Sequence, residues 1–199
     1  MKLYSSPTSP FVRKVRVVIR EKGAGDLVTE EVVVARQDPP ALHAANPLGK
    51  IPALVLDDGM TLFDSPLICE YLDTTLPGPV LLPAEGPDRW RVLRLQAAAD
   101  GISDAAVAIA YEFLRPENER SPGWVERWRN AIIRSLDFLE AETGASFNSL
   151  DLGHIAIGAA LGYLDLRHGD LGWRDGRPNL EAVFDALSAR PSFRETGAS

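Results

Sequence analysis

A proline that opens an apolar run restricts what that run can become. In Asn46-Pro47-Leu48-Gly49-Lys50-Ile51-Pro52-Ala53-Leu54-Val55-Leu56, Pro52 stands at the first apolar position of the final run. Proline can begin a strand but cannot donate to a ladder in its middle. The run is therefore predicted to be a strand that starts at the proline, and Ile51–Pro52 is a candidate cis peptide. Asp57-Asp58-Gly59 follows as a hairpin signal, because glycine tolerates a positive φ and aspartate visits it more readily than most residues. Ser65 then precedes Pro66, which predicts a helix with Ser65 as its cap and the proline at its first position. Turn, strand, tight turn, short strand and helix are read in succession. A helix start carrying free N–H groups beside the polar end of a strand suits a carboxylate or a phosphate.

The rest of the first half fits around this stretch. Met1 to Tyr4 reads as a short strand broken by Ser5-Ser6-Pro7-Thr8. Ser9-Pro10 opens a helix in which Phe11, Val12, Val15, Val18 and Ile19 recur at helical spacing, with Gly23 at the stop. Leu27 to Val34 is rich in β-branched residues and predicts a second strand. Strand, helix and strand in this span form a βαβ unit with parallel pairing. Pro39-Pro40 to Ala45 has room for a short helix or an irregular linker. The order βαβ then ββα predicts an α/β domain over residues 1–77. Residues 78–87, rich in proline and glycine, read as a linker.

Beyond the linker the period becomes helical throughout, so residues 88–199 are predicted to be an all-α bundle. Asp88 to Leu114 reads as one helix, and Ser121-Pro122 opens a second that stops at Gly144. Asp151 caps a third helix, apolar enough to be the buried centre, in which Gly158 and Gly162 suggest close helix contact. A last helix is expected from Leu180 to Arg190, ending before Pro191.

Composition excludes several classes. A chain of 199 residues with 45% hydrophobic and 25% charged residues has the make-up of a globular protein of one large or two small domains. A net charge of −7 argues against a nucleic acid or an acidic membrane as partner. Arg13, Lys14, Arg16 and Arg20 cluster, and on a helix they are expected to form a solvated face. Cys69 is the only cysteine, so no intrachain disulfide is possible and no zinc framework is indicated. Met1-Lys2-Leu3-Tyr4-Ser5 lacks the apolar core of a signal peptide, and no apolar run approaches bilayer length. A cytoplasmic protein without a metal is expected.

Three segments taken together resemble the cytosolic glutathione transferase superfamily: Ser9-Pro10-Phe11-Val12-Arg13-Lys14-Val15-Arg16, Asn46 through Pro52, and Asp64-Ser65 with Ile68 and Tyr71-Leu72 behind it. The resemblance covers essentially the whole chain. It is nearest to bacterial serine-type members, with some tau-, phi- and omega-like features; the omega type has cysteine where this chain has Ser9. The resemblance implies a thioredoxin-like front domain, a helical back domain, a homodimer, and glutathione as co-substrate for a small hydrophobic electrophile or a peroxide. It also implies residue roles. The Ile51 backbone, before a cis Pro52, would pair with the cysteinyl part of glutathione as an added strand. Asp64 and Ser65 would hold the γ-glutamyl end, and Lys50 would meet the glycyl carboxylate. Pro10, Phe11, Tyr111 and Phe113 would line the electrophile pocket, and Asp104 would reach across the dimer.

Ser9 is the expected catalytic residue. A thiol with a pKa of about 8.5 is mostly protonated near neutral pH, and the thiolate is the nucleophile. A hydroxyl donor at the positive end of a helix favours that anion, and one unit of thiol pKa corresponds to about 1.4 kcal/mol. Ser9 also reads simply as a helix cap, and Ser5 and Ser6 are rival donors. Tyr4 reads as a packing residue and Cys69 as buried and inert. Asp151 with His154 three residues on departs from the family's capping pattern, and His43 and His168 receive no role. A non-catalytic adaptor that binds another protein on the same scaffold is the alternative function. A thiol-disulfide oxidoreductase is disfavoured, since serine at position 9 cannot form a mixed disulfide.

Overall fold

The computed structural model of the chain describes residues 1–144 and 149–197. They fall into two compact units, Met1–Glu85 with Arg190–Ser199, and Gly86–Ala189. The first unit runs β1 (Lys2–Ser5), α1 (Pro10–Glu21), β2 (Thr29–Val32), α2 (Pro40–Ala45), β3 (Ala53–Val55), β4 (Thr61–Leu62) and α3 (Ser65–Thr75). The sheet order is β2-β1-β3-β4, with β1 parallel to β2 and antiparallel to β3, and β3 antiparallel to β4. The βαβ-ββα order expected from the sequence is the order observed. The second strand is shorter than Leu27–Val34 because it is an exposed edge, where pairing ends as soon as β1 does.

Side-chain alternation along the strands assigns the two faces of this sheet. Leu3 and Leu54, partners in register and wholly buried, lie on one face. Tyr4 and Ala53 pair on the other, where they cluster with Leu42 and Ala45 of α2. Helices α1 and α3 pack together, and α1 buries Val12, Val15, Val18 and Ile19. The Asp57-Asp58-Gly59 hairpin forms: Leu56 N–H donates to Met60 O at 2.8 Å, Asp58 Oδ1 accepts from Met60 N–H, and Gly59 has φ of +89°. Helix α3 starts one residue earlier than expected, at Ser65 rather than at Pro66. Asp64 takes the N-cap position, without a side-chain capping bond, and Ser65 is the first helical residue.

The basic cluster of α1 is not the solvated face that its charge suggested. Lys14 is 1% exposed. Arg16 Nε donates to Glu30 Oε1 of β2 at 2.9 Å. The residues after α3 are likewise bound down rather than free. Lys22 Nζ donates to Asp73 Oδ1 and Asp73 O at 3.0 Å and to Pro79 O at 2.9 Å, while Asp73 accepts from the N–H groups of Leu81 and Leu82. The stretch read as a linker from residue 78 is thus part of the first unit through Glu85.

The second unit contains α4 (Gly86–Leu114), α5 (Pro122–Thr143), α6 (Leu152–Arg167) and α7 (Pro178–Ser188). Every residue from Asp151 to Leu161 is buried, so α6 is the centre of the bundle, packed against α4 and α7. Gly153 allows the α4 contact, because a Cβ there would lie 2.9 Å from Leu95 Cβ and 3.1 Å from Val92 O. Asp151 caps α6 through Oδ1, which accepts from His154 N–H at 2.9 Å and lies 2.8 Å from His154 Nδ1; Arg91 pairs with Oδ2. Burial alone would raise the Asp151 pKa, but His154 and Arg91 hold it below the usual carboxylate range. Glu140 of α5 caps α7 by accepting from the N–H groups of Asn179 and Leu180.

The last residues correct the expected layout. The final helix of the bundle ends at Ser188, and a further helix, α8 (Pro191–Glu195), begins at the proline that was expected to follow the chain's last helix. Helix α8 packs on α1 and belongs to the first unit, rather than to an all-α domain over 88–199. Arg190 binds Glu21 with two parallel bonds at 2.9 and 2.7 Å, Ser192 Oγ donates to the same carboxylate, and Arg20 pairs with Glu195 at 3.1 Å. Phe193, 1% exposed, accepts at its carbonyl from Arg13 Nη2. No helix among the described residues is long and apolar enough to cross a membrane.

Candidate functional site

The register of the sheet brings three chain segments to one end of the first unit. Tyr4 pairs with Ala53, so the loop that leaves β1 after Ser5 lies beside Pro52 and Ile51 at the start of β3. Leu62 pairs with Leu54, so the chain leaving β4 through Phe63 and Asp64 emerges at that same end and enters α3 at Ser65. Helix α1 begins there as well, four residues after β1 ends. Ser9, Ile51–Pro52 and Asp64–Ser65, far apart in sequence, therefore come to one end of the sheet's strands, where α1 and α3 both begin.

Each segment is held by local chemistry. Ser9 Oγ accepts from Val12 N–H at 3.3 Å and caps α1. A hydroxyl that accepts this bond retains its own hydrogen for a further acceptor. Ser5, the first rival donor, is 1% exposed, and its hydrogen goes to Glu30 Oε2 at 2.9 Å. Tyr4 is 3% exposed and accepts from Lys2 Nζ, in keeping with a packing role. The Ile51–Pro52 peptide is cis, as is Phe63–Asp64. Among the described residues the N–H and C=O of Ile51 bond to no other backbone group. Ser65 is 1% exposed, and Asp64 is exposed beside it. Lys50 is exposed on the turn before Ile51.

Asn46 shapes that turn, and the sequence reading assigned it no role. It is 2% exposed, donates from Nδ2 to Lys50 O at 2.8 Å, and accepts at Oδ1 from Leu48 N–H at 3.0 Å. An asparagine just before Pro-Leu-Gly is a signal for such a side-chain-closed turn. Glu30 left no sequence signal, because its partners Ser5 and Arg16 come to it only through strand pairing and helix packing.

The remaining predicted residues are placed separately. Pro10, buried, and Phe11, half-buried, open α1 directly after Ser9. Tyr111, Phe113 and Asp104 lie on α4 of the second unit, with the two aromatic rings about half exposed. Cys69 is buried in α3. Among the described residues no group of three or more His, Cys, Asp or Glu is placed to hold a metal ion.

Residues 3–80 match the glutathione S-transferase N-terminal domain family and residues 122–186 match the C-terminal domain family. An uncharacterized GST-like protein of Escherichia coli K12, YibF, is 40% identical over 140 residues, 70% of this chain and 68% of that protein. The chain belongs to the glutathione S-transferase family. A maleylacetoacetate isomerase of Pseudomonas aeruginosa is 30% identical over 98% of this chain and 94% of its own length. A glutathione transferase family member from Pseudomonas fluorescens Pf-5, crystallised with bound glutathione, superposes with a TM-score of 0.93 at 42% identity, covering 100% of this chain and 98% of that one. The α/β front and helical back of this transferase relative are thus the fold of the family.

Proposed function

We propose that this chain conjugates reduced glutathione to small electrophiles at one end of the first unit's sheet strands, with Ser9 as the residue that stabilises the thiolate. The observation that carries the proposal is the Ser9 hydroxyl. It caps α1 by accepting from Val12 N–H, which leaves its hydrogen for a sulfur acceptor, whereas the Ser5 hydrogen already bonds to Glu30. The solved family member that holds glutathione supports the choice of thiol donor.

In this reading the Ile51 N–H and C=O pair with the cysteinyl backbone of glutathione, as an added strand would. The α3 N-terminus with Ser65 receives the γ-glutamyl carboxylate, Asp64 lies near the ammonium, and Lys50 meets the glycyl carboxylate. The thiol proton leaves to solvent, and the sulfur anion accepts the Ser9 hydrogen bond at the positive end of a 12-residue helix. The sulfur lone pair then attacks the electrophilic carbon, forming the S–C bond as the leaving group departs with its electron pair. The electrophile is expected against Pro10 and Phe11, which open α1 directly after Ser9. A homodimer in a reducing cytoplasm, with Asp104 reaching the neighbouring site, completes the proposal.

Turnover of chlorodinitrobenzene and retention on immobilised glutathione test it together. Ser9→Ala is expected to lower kcat/KM by at least about tenfold, the equivalent of one unit of thiol pKa, while retention persists. Undiminished turnover in Ser9→Ala would refute the role of Ser9. Failure of the unaltered protein to bind glutathione would instead favour the adaptor reading.

A further inference from the structure

The four residues between β1 and α1 end in Ser9, and one carboxylate ties the last residue of the strand before this connection to the helix after it. Glu30 Oε2 accepts from Ser5 Oγ at 2.9 Å, at the last residue of β1. Glu30 Oε1 accepts from Arg16 Nε at 2.9 Å, two turns into α1. The strand register explains the meeting. Leu3 pairs with Glu30 and Ser5 with Val32 in a parallel ladder, so alternation puts Ser5 and Glu30 on one face of the sheet. Glu31 points the opposite way and pairs with Lys2 at 3.0 Å. A second bond, Val33 N–H to Ser5 O at 2.9 Å, holds the same strand end.

This arrangement is more than an edge salt bridge. Ser5 is 1% exposed, and the Arg16 side chain is 17% exposed. The carboxylate divides its two oxygens between the residue where the strand stops and the helix that the next four residues must reach. A charge-assisted hydrogen bond is shorter and stronger than a neutral one, so the tie resists displacement. Small misplacements of a group that must meet a reacting atom lower rates steeply.

We infer that Glu30 is a positioning residue for Ser9: by binding Ser5 and Arg16 at once, it sets where the β1–α1 connection presents the Ser9 hydroxyl to the thiol. The inference rests on the reading that Ser9 is the thiolate donor. Glu30 sits on the edge strand β2 and touches no reacting atom. It acts through the loop.

The thiol of bound glutathione is titrated by its ultraviolet thiolate absorbance in the unaltered protein, Ser9→Ala, Glu30→Ala, Ser5→Ala and the Ser9→Ala/Glu30→Ala double variant. This readout needs no electrophile, and a merely structural role would leave the thiol pKa alone. Glu30→Ala and Ser5→Ala are each expected to raise that pKa in the direction of Ser9→Ala. The dissociation constant for glutathione should change by less than about twofold, and the double variant should titrate like Ser9→Ala alone. Glu30→Gln, which keeps an oxygen acceptor for Ser5 but sets an NH2 group where Arg16 donates, is expected to recover only part of the shift. If Ser9→Ala raises the pKa while Glu30→Ala and Ser5→Ala do not, the positioning role is overturned and the serine reading stands. If Glu30→Ala adds fully to Ser9→Ala, Glu30 acts by another route and the inference also fails. If Ser9→Ala leaves the titration unchanged, the serine reading itself falls and the inference with it. Ser5→Ala carries the same comparison should Glu30→Ala fold poorly.

Discussion

A glycine inside a helix ordinarily costs about 1 kcal/mol relative to alanine. At Gly153 that preference should reverse, because an added Cβ would meet Leu95 Cβ at 2.9 Å and Val92 O at 3.1 Å where α6 crosses α4. Overpacking of a filled contact costs about 1–3 kcal/mol. Gly153→Ala is therefore expected to lower stability in urea unfolding despite its better propensity, and a stabilised variant would show that the helices can move apart. The Lys22–Asp73 pair is a second case decided by single atoms. Its side chains are 1% and 3% exposed, and removing one partner of such a pair costs about 3–5 kcal/mol. Asp73→Ala should approach that loss, since Leu81 and Leu82 N–H groups lose their acceptor as well. Gly78 lies in the segment held there, with φ of +119° and Lys22 Cα 3.3 Å from where its Cβ would be. The proline- and glycine-rich composition reads as a linker at this place, but composition carries no record of a buried lysine 57 positions away in sequence that bonds to Pro79 O.

Among the elements, α1 carries the most. Its apolar period, its Ser-Pro start and its stop were all legible, because each is a local property of a helix. What its basic residues do was not. Arg16 reaches the edge strand, and Arg13 and Arg20 reach the returning tail. The tail itself is an element whose existence the sequence did not announce, since Pro191 reads equally well as the end of one helix or the first residue of the next. Arg190→Ala is expected to destabilise the first unit by about 1–2 kcal/mol, leaving the Glu21 carboxylate, 10% exposed, without its guanidinium. Removal of the chain after Ala189 should cost clearly more, because Phe193 and Thr196 are buried as well. Thermal melts of the two variants, followed by circular dichroism, order the losses; equal melting points would mean that α8 contributes only its arginine.

For the whole molecule, acid should weaken the fold in stages. His168 is buried, its Nε2 2.8 Å from Ala106 O, and burial holds its pKa below the ordinary 6.5. A depressed value means that the unfolded chain binds the proton more readily. The contribution of His168 is complete above pH 6.5 and is lost as pH falls from there through the folded value. Glu21 follows at lower pH. The Arg190 guanidinium, with Ser192, holds it below the ordinary 4.5, so its share is present above that pH and disappears on further acidification. Asp151 is held below 3.8 by His154 and Arg91 against the effect of burial, so its share is present above that pH and is lost on further acidification. Melting temperature against pH should fall in the first stage below pH 6.5, and His168→Gln should flatten that stage while leaving the carboxylate stages in place. By itself the sequence determined the element types, the change from α/β to all-α, the proline-led strand and the hairpin, and through three short segments the family. These follow from hydrophobic period and turn chemistry, which act between residues within a few positions of each other. Only the tertiary structure decided that Ser9, Ile51 and Ser65 come to one end of the sheet's strands, that Ser5 bonds to Glu30, and that the tail returns to α1. Strand register and ion pairing join residues dozens of positions apart, and no local pattern encodes which carboxylate an arginine will meet.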